Sequence, residues 1–169
     1  DLLLLQGKYG SLKTLPTVPG WEGTGTVVAS GGGLLAGWLR GKRVSCALRD
    51  DRDGTWAEYF LANAKDCIAI KRRLTVDQAA SLIVNPFTAV GLLETARRGH
   101  RAAVQTAAAS QLGRLIVSLA KDARYPLINI VRREEQASLL KSLGAEHVLN
   151  SSSERFVENL ATLAQDLKA

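Results

Sequence analysis

From residue 101 onward the chain alternates short apolar runs with amphipathic stretches in one fixed order. "AAVQTA" reads as a strand, "SQLGRLIVSLAKDA" as a helix, "PLINIV" as a strand and "REEQASLLKSLG" as a helix ending on Gly144. "EHVLN" follows as a third strand, and Ser151 with Glu154 is expected to cap a last helix over Glu154 to Leu167. Strands separated by helices cannot pair as hairpins. The order β-α-β-α-β-α therefore predicts an α/β fold with a parallel sheet and right-handed crossovers, the doubly wound arrangement. Three such strands are present where a complete dinucleotide-binding sheet carries about six, so the chain is expected to stop halfway through that domain. No methionine occurs anywhere, and the expectation is that the true start is also missing.

The first strand runs into "TAAASQLG", residues 106–113. A strand, a tight turn and a helix opening on small residues meet the physical requirement for holding a pyrophosphate. The helix N-terminus offers free amide hydrogens and partial positive charge, and small side chains let the backbone come close. Against a G-x-G-x-x-G template, Ala108, Ser110 and Gly113 fall on the three glycine positions, with Ala109, Gln111 and Leu112 between them. Alanine can stand for glycine where φ is negative, serine can add a hydroxyl contact, and Gly113 keeps the close helix–strand approach. The competing reading is an alanine-rich helix start. At the end of the second strand, "INIVRREE" has Val131 where an acid would hold a ribose 2′-hydroxyl, followed by Arg132 and Arg133. Two guanidinium groups there suit a 2′-phosphate, and so NADPH over NADH. The alternative for the pair is a solvated loop. Glu134 and Glu135 belong to the first turn of the next helix, where its dipole favours them.

The first half reads as β-rich. Extended segments are expected at Gly25 to Ala29, Arg43 to Leu48, Trp56 to Leu61 and Cys67 to Ile70, separated by "SGGG", "RGK" and the turn-rich "RDDRDG". Irregular lengths and several glycines suggest a barrel-like or strongly bent sheet. Thr75 with Gln78 forms a capping-box signature, and Pro86 must break or kink the helix that follows. The expected organisation is a β-rich part over 1–74, a connecting helical region over 75–98 and the first half of a nucleotide-binding domain over 99–169.

A hydrophobic share of 46% and a charged share of 22% suit an ordinary globular protein. No run approaches the ~18 apolar residues of a membrane span. The net charge of +6 invites a nucleic-acid reading, yet the basic residues lie in short scattered groups with no interleaved aromatics to stack on bases. Solvated faces account for them. Cys46 and Cys67 belong to no CxxC pair, and His100 and His147 do not stand at ligand spacing from them. Two isolated, buried thiols are expected, in a reducing compartment such as the cytoplasm or the mitochondrial matrix.

Taken together, several segments resemble the medium-chain dehydrogenase/reductase superfamily. "VPGWEGTGTVVASG" (18–31), "NPFTAVGLL" (85–93), "AASQLGRLIVSLAK" (108–121) and "LLKSLGAEHVLNSSS" (139–153) are similar to its motifs, in the same order. Zinc-dependent members carry a ligand histidine where Trp21 stands, and an indole cannot ligate zinc. The resemblance is thus to the zinc-independent quinone oxidoreductase and 2-enoyl thioester reductase branch. "LLLLQGKYG" (2–10) is similar to a stretch of the enoyl reductases that singles out Tyr9.

The resemblance implies part of a β-rich GroES-like catalytic domain followed by part of a Rossmann-type sheet, with no metal. It implies NADPH delivering a hydride to an enoyl thioester or a quinone, in a protein that forms a homodimer. Tyr9 would hydrogen-bond the substrate carbonyl oxygen or protonate the enolate, a role suited to a phenol. Thr88 would stand on the nicotinamide side, with Asn85 helping to position it. Against these roles stand plain packing for Tyr9, and local bonding around Pro86 for Asn85 and Thr88. Glu22 is expected to order a loop. Two further readings are an enoyl reductase module of a multifunctional fatty-acid or polyketide synthase, and a non-catalytic reductase-like binding or scaffold protein.

Overall fold

The computed structural model describes residues 1–10, 14–48, 53–71 and 73–169. Residues 49–52 of the expected "RDDRDG" turn lie outside them. By its internal contacts the chain divides into two units, Asp1–Val84 and Asn85–Ala169, each built on its own sheet. The division falls inside the segment expected to be connecting helix.

The first unit opens with a single helical turn, α1 (Leu2–Leu5), and then β1 (Glu22–Thr26). α2 (Leu34–Leu39), β2 (Arg43–Ala47), a 3-10 turn at Ala64–Asp66, β3 (Cys67–Ala69) and α3 (Val76–Ala80) follow. β1, β2 and β3 form an antiparallel sheet in that order. β2 is central, and its Val44, Ser45 and Cys46 are buried. A buried hydroxyl requires a partner. Ser45 Oγ donates to the Ala79 carbonyl at 2.7 Å, which ties α3 to the sheet. The capping box forms as its spacing predicts: Thr75 Oγ1 accepts from the Gln78 amide, and Gln78 Oε1 accepts from the Thr75 amide.

Two strand expectations in this unit need correction. β1 begins at Glu22, three residues before the expected Gly25, and Val28 beyond it is exposed. Trp56 to Leu61 forms no strand. The chain at Gly54, Thr55 and Trp56 donates its amides back to the carbonyls of Val18, Gly20 and Pro19, and Tyr59 and Leu61 then stand in solvent. Aromatic and apolar content without burial holds no strand in a sheet. The cysteines are a third correction. They are free thiols, but not isolated ones: Cys46 faces Cys67 across β2 and β3. Cys46 is buried and Cys67 only partly so.

The second unit begins with α4 (Val84–Gly99, its first residue belonging to the first unit). The helical pattern does break before Pro86: α3 stops at Ala80, and Pro86 lies in the first turn of α4, where its missing N–H has no acceptor to lose. Then come β4 (Ala103–Gln105), α5 (Gln111–Asp122), β5 (Leu127–Val131), α6 (Glu134–Ser142), β6 (His147–Asn150) and α7 (Phe156–Leu167). The three strands are parallel in the order β4-β5-β6. Ala89 and Leu93 of α4, Ile116, Val117 and Ala120 of α5, Leu127 and Val131 of β5 and Leu140 of α6 share one core with Ala108. α6 ends as expected, with Gly144 at φ +91° and the Ala145 amide bonded back to Leu140. α7 starts later than expected and without a side-chain cap. Asn150 holds the preceding residues in a turn, accepting from the Ser152 amide through Oδ1 and from the Ser153 amide through its carbonyl, so Ser151 and Glu154 do not cap.

Burial, and after it the neighbouring Cys67 thiol, pushes the Cys46 thiol from its ordinary 9.0 up to about 12. The folded chain therefore holds this proton more tightly than the unfolded one. The resulting stability is present in full below pH 9 and is lost as the pH rises from there toward 12. Wild type should accordingly lose its stability margin over a Cys46→Ala variant by about 2 kcal/mol between pH 8 and pH 11 in denaturant titrations.

Candidate functional site

The turn between β4 and α5 is shaped by backbone proximity. Ala108 is fully buried, and a Cβ built on Gly113 would collide with the Ala108 carbonyl oxygen and lie 2.7 Å from its C and Cα atoms. Only a glycine lets α5 start this close to the end of β4. Ser110 is the N-cap: its Oγ accepts from the Gly113 amide at 3.1 Å. An α-helix leaves its first amides without intrahelical acceptors, and the serine occupies one of them. The Gln111 and Leu112 amides open the same first turn, at the positive end of the 12-residue α5 dipole. Gln111 is exposed and Ala109 and Leu112 are partly buried. Ala107 takes a left-handed conformation at φ +49°, whereas Ala108 has none, so alanine at the first template position is tolerated.

A polar bracket that the sequence does not announce fixes this turn to the sheet. Gln105 Nε2 donates to the Gly113 carbonyl at 3.2 Å and to Asn129 Oδ1 at 2.6 Å. Asn129, 1% exposed in the middle of an apolar strand, donates through Nδ2 to the Leu127 and His147 carbonyls. One chain of bonds thus joins the end of β4, the first turn of α5, and β5 and β6. The Ala108 amide also donates to the Ile130 carbonyl at 3.3 Å.

Arg132 and Arg133 follow the last residue of β5, which lies parallel to β4 with Gln105 opposite Asn129. Parallel neighbours end on the same edge of a sheet, so the turn and the arginine pair share one edge. The Arg132 backbone is held at both groups: its amide donates to Gln136 Oε1 and its carbonyl accepts from Ser152 Oγ. Both arginine side chains are exposed, and Glu134 and Glu135 lie in the first turn of α6.

Asn85 and Thr88 lie in the first two turns of α4, partly buried and exposed respectively. Ala89 and Leu93 of the same helix pack into the core that holds Ala108, which anchors α4 beside the turn. The start of α4 has a cap from far along the chain. Glu22 Oε2 accepts the amides of Ile83 at 3.2 Å and Val84 at 2.9 Å, a carboxylate at the positive end of a helix. Glu22 does order a segment, and the structure names which one. Tyr9 belongs to the first unit, where its ring packs on Trp21 with centroids 5.5 Å apart and planes tilted by 39°. Tyr9 remains substantially exposed at 42%. Among the described residues no three His, Cys, Asp or Glu side chains gather as metal ligands, and no helix is long and apolar enough to cross a membrane.

Residues 1–72 match the alcohol dehydrogenase GroES-like domain family. The chain is 32% identical over 178 residues to the mitochondrial enoyl-acyl-carrier-protein reductase of Mus musculus, which covers 99% of this chain and 45% of that protein. Among solved structures it is similar to a candidate NADPH:quinone reductase from Mesorhizobium loti, with a TM-score of 0.90 and 39% identity over 99% of this chain and 49% of that one. It is also similar to a mycobacterial protein solved in complex with NADPH, with a TM-score of 0.79 and 28% identity over 99% of this chain and 51% of that one. The chain spans about half the length of the relatives it matches.

Two stability outcomes follow from this geometry. Gly113→Ala should destabilise the second unit by about 1–3 kcal/mol, the range for a forced overlap in a packed region, read as a fall in melting temperature. Glu22→Ala should cost about 1–2 kcal/mol through the two uncapped amides, and chemical denaturation measures it.

Proposed function

We propose that the chain belongs to the medium-chain dehydrogenase/reductase superfamily, in its zinc-independent branch, and is part of an NADPH-dependent reductase acting on an α,β-unsaturated carbonyl compound or a quinone. The observation that carries the proposal is the pairing, on one sheet edge, of a serine-capped helix start with two exposed arginines. The names of the relatives support both the cofactor and the reaction class.

The residues suit the cofactor in charge and hydrogen-bonding chemistry. The Gln111 and Leu112 amides and the α5 dipole would hold the pyrophosphate. Ser110 Oγ accepts from Gly113 and keeps its own hydrogen to donate to a phosphate oxygen. Arg132 and Arg133 would take the 2′-phosphate through charge-assisted bonds. When bound, NADPH supplies a hydride to the β-carbon of an enoyl thioester or to a quinone. Thr88 and Asn85 would position the nicotinamide side, and Tyr9 would donate a hydrogen bond to the carbonyl oxygen as negative charge develops there, then protonate the enolate. Packing on Trp21 would limit the freedom of the Tyr9 ring.

The intact protein is expected to bind NADPH in calorimetric titrations and to oxidise it when given an enoyl thioester or a quinone; inertness toward a broad panel of both acceptors would end the enzymatic reading. Replacing Arg132 and Arg133 together by alanine should weaken NADPH by about 10- to 100-fold, the worth of one or two charge-assisted bonds, and NADH far less. Equal losses for the two nucleotides would remove the phosphate role. Tyr9→Phe should lower kcat by about 100-fold or more with NADPH affinity unchanged, as loss of a general acid does.

A further inference from the structure

The reading above leaves the two cysteines without a task, and their placement gives them one. Cys46 and Cys67 are direct partners in the β2–β3 register, after Val44 with Ala69 and Ser45 with Ile68. In an antiparallel ladder, pairs that exchange backbone hydrogen bonds alternate with pairs that do not. The Ile70 amide donates to the Arg43 carbonyl at 3.0 Å, which marks that pair as hydrogen-bonded. Three steps along the register, Cys46 and Cys67 are therefore a non-hydrogen-bonded pair. The other neighbour agrees. The Leu48 amide donates to the Trp21 carbonyl, so two steps on Gly23 and Cys46 form a hydrogen-bonded pair, and the Cys46 backbone is turned toward β1.

Non-hydrogen-bonded partners have Cα atoms about 4.5 Å apart and side chains on the same face at their closest approach. That spacing lies inside the span of about 4.4–6.8 Å that a disulfide bridges. The two thiols also differ in access. Cys46 is fully buried, with its Sγ donating to the Gly23 carbonyl at 3.7 Å. Cys67 is partly exposed on β3, which pairs only with β2 among the described strands, and its Sγ donates to the Asn63 carbonyl at 3.4 Å.

We propose that Cys46 and Cys67 form a reversible dithiol–disulfide site, with Cys67 as the thiol that meets the oxidant and Cys46 as the one that resolves it. The oxidant is a low-molecular-weight disulfide such as oxidised glutathione. Cys67 gives up its proton and its sulfur attacks one sulfur of the reagent; the S–S bond breaks and one glutathione leaves as a thiol. Cys46 then gives up its proton and attacks Cys67 Sγ, the mixed disulfide breaks, and a second glutathione thiol leaves. The two protein thiols are oxidised by two electrons, one glutathione disulfide is reduced to two thiols, and both protons end on those thiols. The bridge would lock the edge strand β3 to β2, which pairs on its other side with β1.

The test treats the folded, reduced protein with oxidised glutathione, traps the remaining thiols with N-ethylmaleimide and maps the unreduced peptides by mass spectrometry. The expected product is the Cys46 peptide joined to the Cys67 peptide, lighter by two hydrogens than the two thiols. Dithiothreitol should restore both thiols, and the far-ultraviolet circular dichroism should stay that of the reduced fold. Cys67→Ser should abolish the linked peptide and leave Cys46 without glutathione. Glutathione remaining on Cys67 beside a free Cys46 would overturn the proposal, as would a bridge that forms only after the protein is denatured. Both observations are made on the wild-type chain and do not depend on the variant folding.

Discussion

The contact between Gly113 and the Ala108 carbonyl sets the geometry of the second unit. A hydrogen atom stands where any other residue would place a Cβ, and the helix axis can therefore begin against the end of the strand. Ser110 then reaches the Gly113 amide, and the Gln105 amide group reaches the Gly113 carbonyl. The same glycine is thus bound through both of its backbone groups, once by its own helix cap and once by the strand. The turn is left with its small side chains around it and the first amides of α5 at its mouth. Asn129 carries this constraint across the sheet to β6. A buried amide with its hydrogens and oxygen all engaged rigidifies what surrounds it, because breaking any one bond strands a polar group away from water.

In the first unit the corresponding role falls to the central strand. β2 is paired on both sides, buries its middle residues and bonds α3 through Ser45. β1 then fixes Glu22, whose carboxylate meets the amides at the start of α4. A cap supplied from sixty-odd residues away does what a local serine or aspartate does at most helix starts. Pro86 suits the same turn, since it removes an amide that would have needed a partner.

The second half of the fold was legible because its apolar spacing is unambiguous: "PLINIV" and "EHVLN" have the length of buried strands, and "SQLGRLIVSLAK" has a helical period behind a capping serine. The places of residues 108–113 and of Arg132 and Arg133, just past the ends of β4 and β5, follow from the same spacing. The first half was less so. The β-forming Thr26, Val27 and Val28 draw the expected strand over Gly25 to Ala29, and nothing local says that pairing with Arg43–Ala47 begins at Glu22. Trp56 to Leu61 has a strand's composition, but the preceding amides are bound to the 18–20 segment. Nothing local marks Gln105, at the end of β4, or Asn129, in the middle of β5, because only the register sets them opposite one another. The cysteine pair was invisible for the same reason: register is a long-range property, set by which face of each strand is buried. Of the proposed site, the residues of the turn and Arg132–Arg133 are brought to one edge. Tyr9 is placed beside Trp21 in the other unit.

In the proposed function the start of α5 receives the cofactor's phosphates. Titrating NADPH into isotopically labelled protein, with backbone amide resonances followed by NMR, tests it most directly. The Gln111 and Leu112 amides should shift the most, together with the Ser110 amide and the side-chain resonances of Arg132 and Arg133. Saturable binding that leaves these signals in place while amides elsewhere move would contradict it.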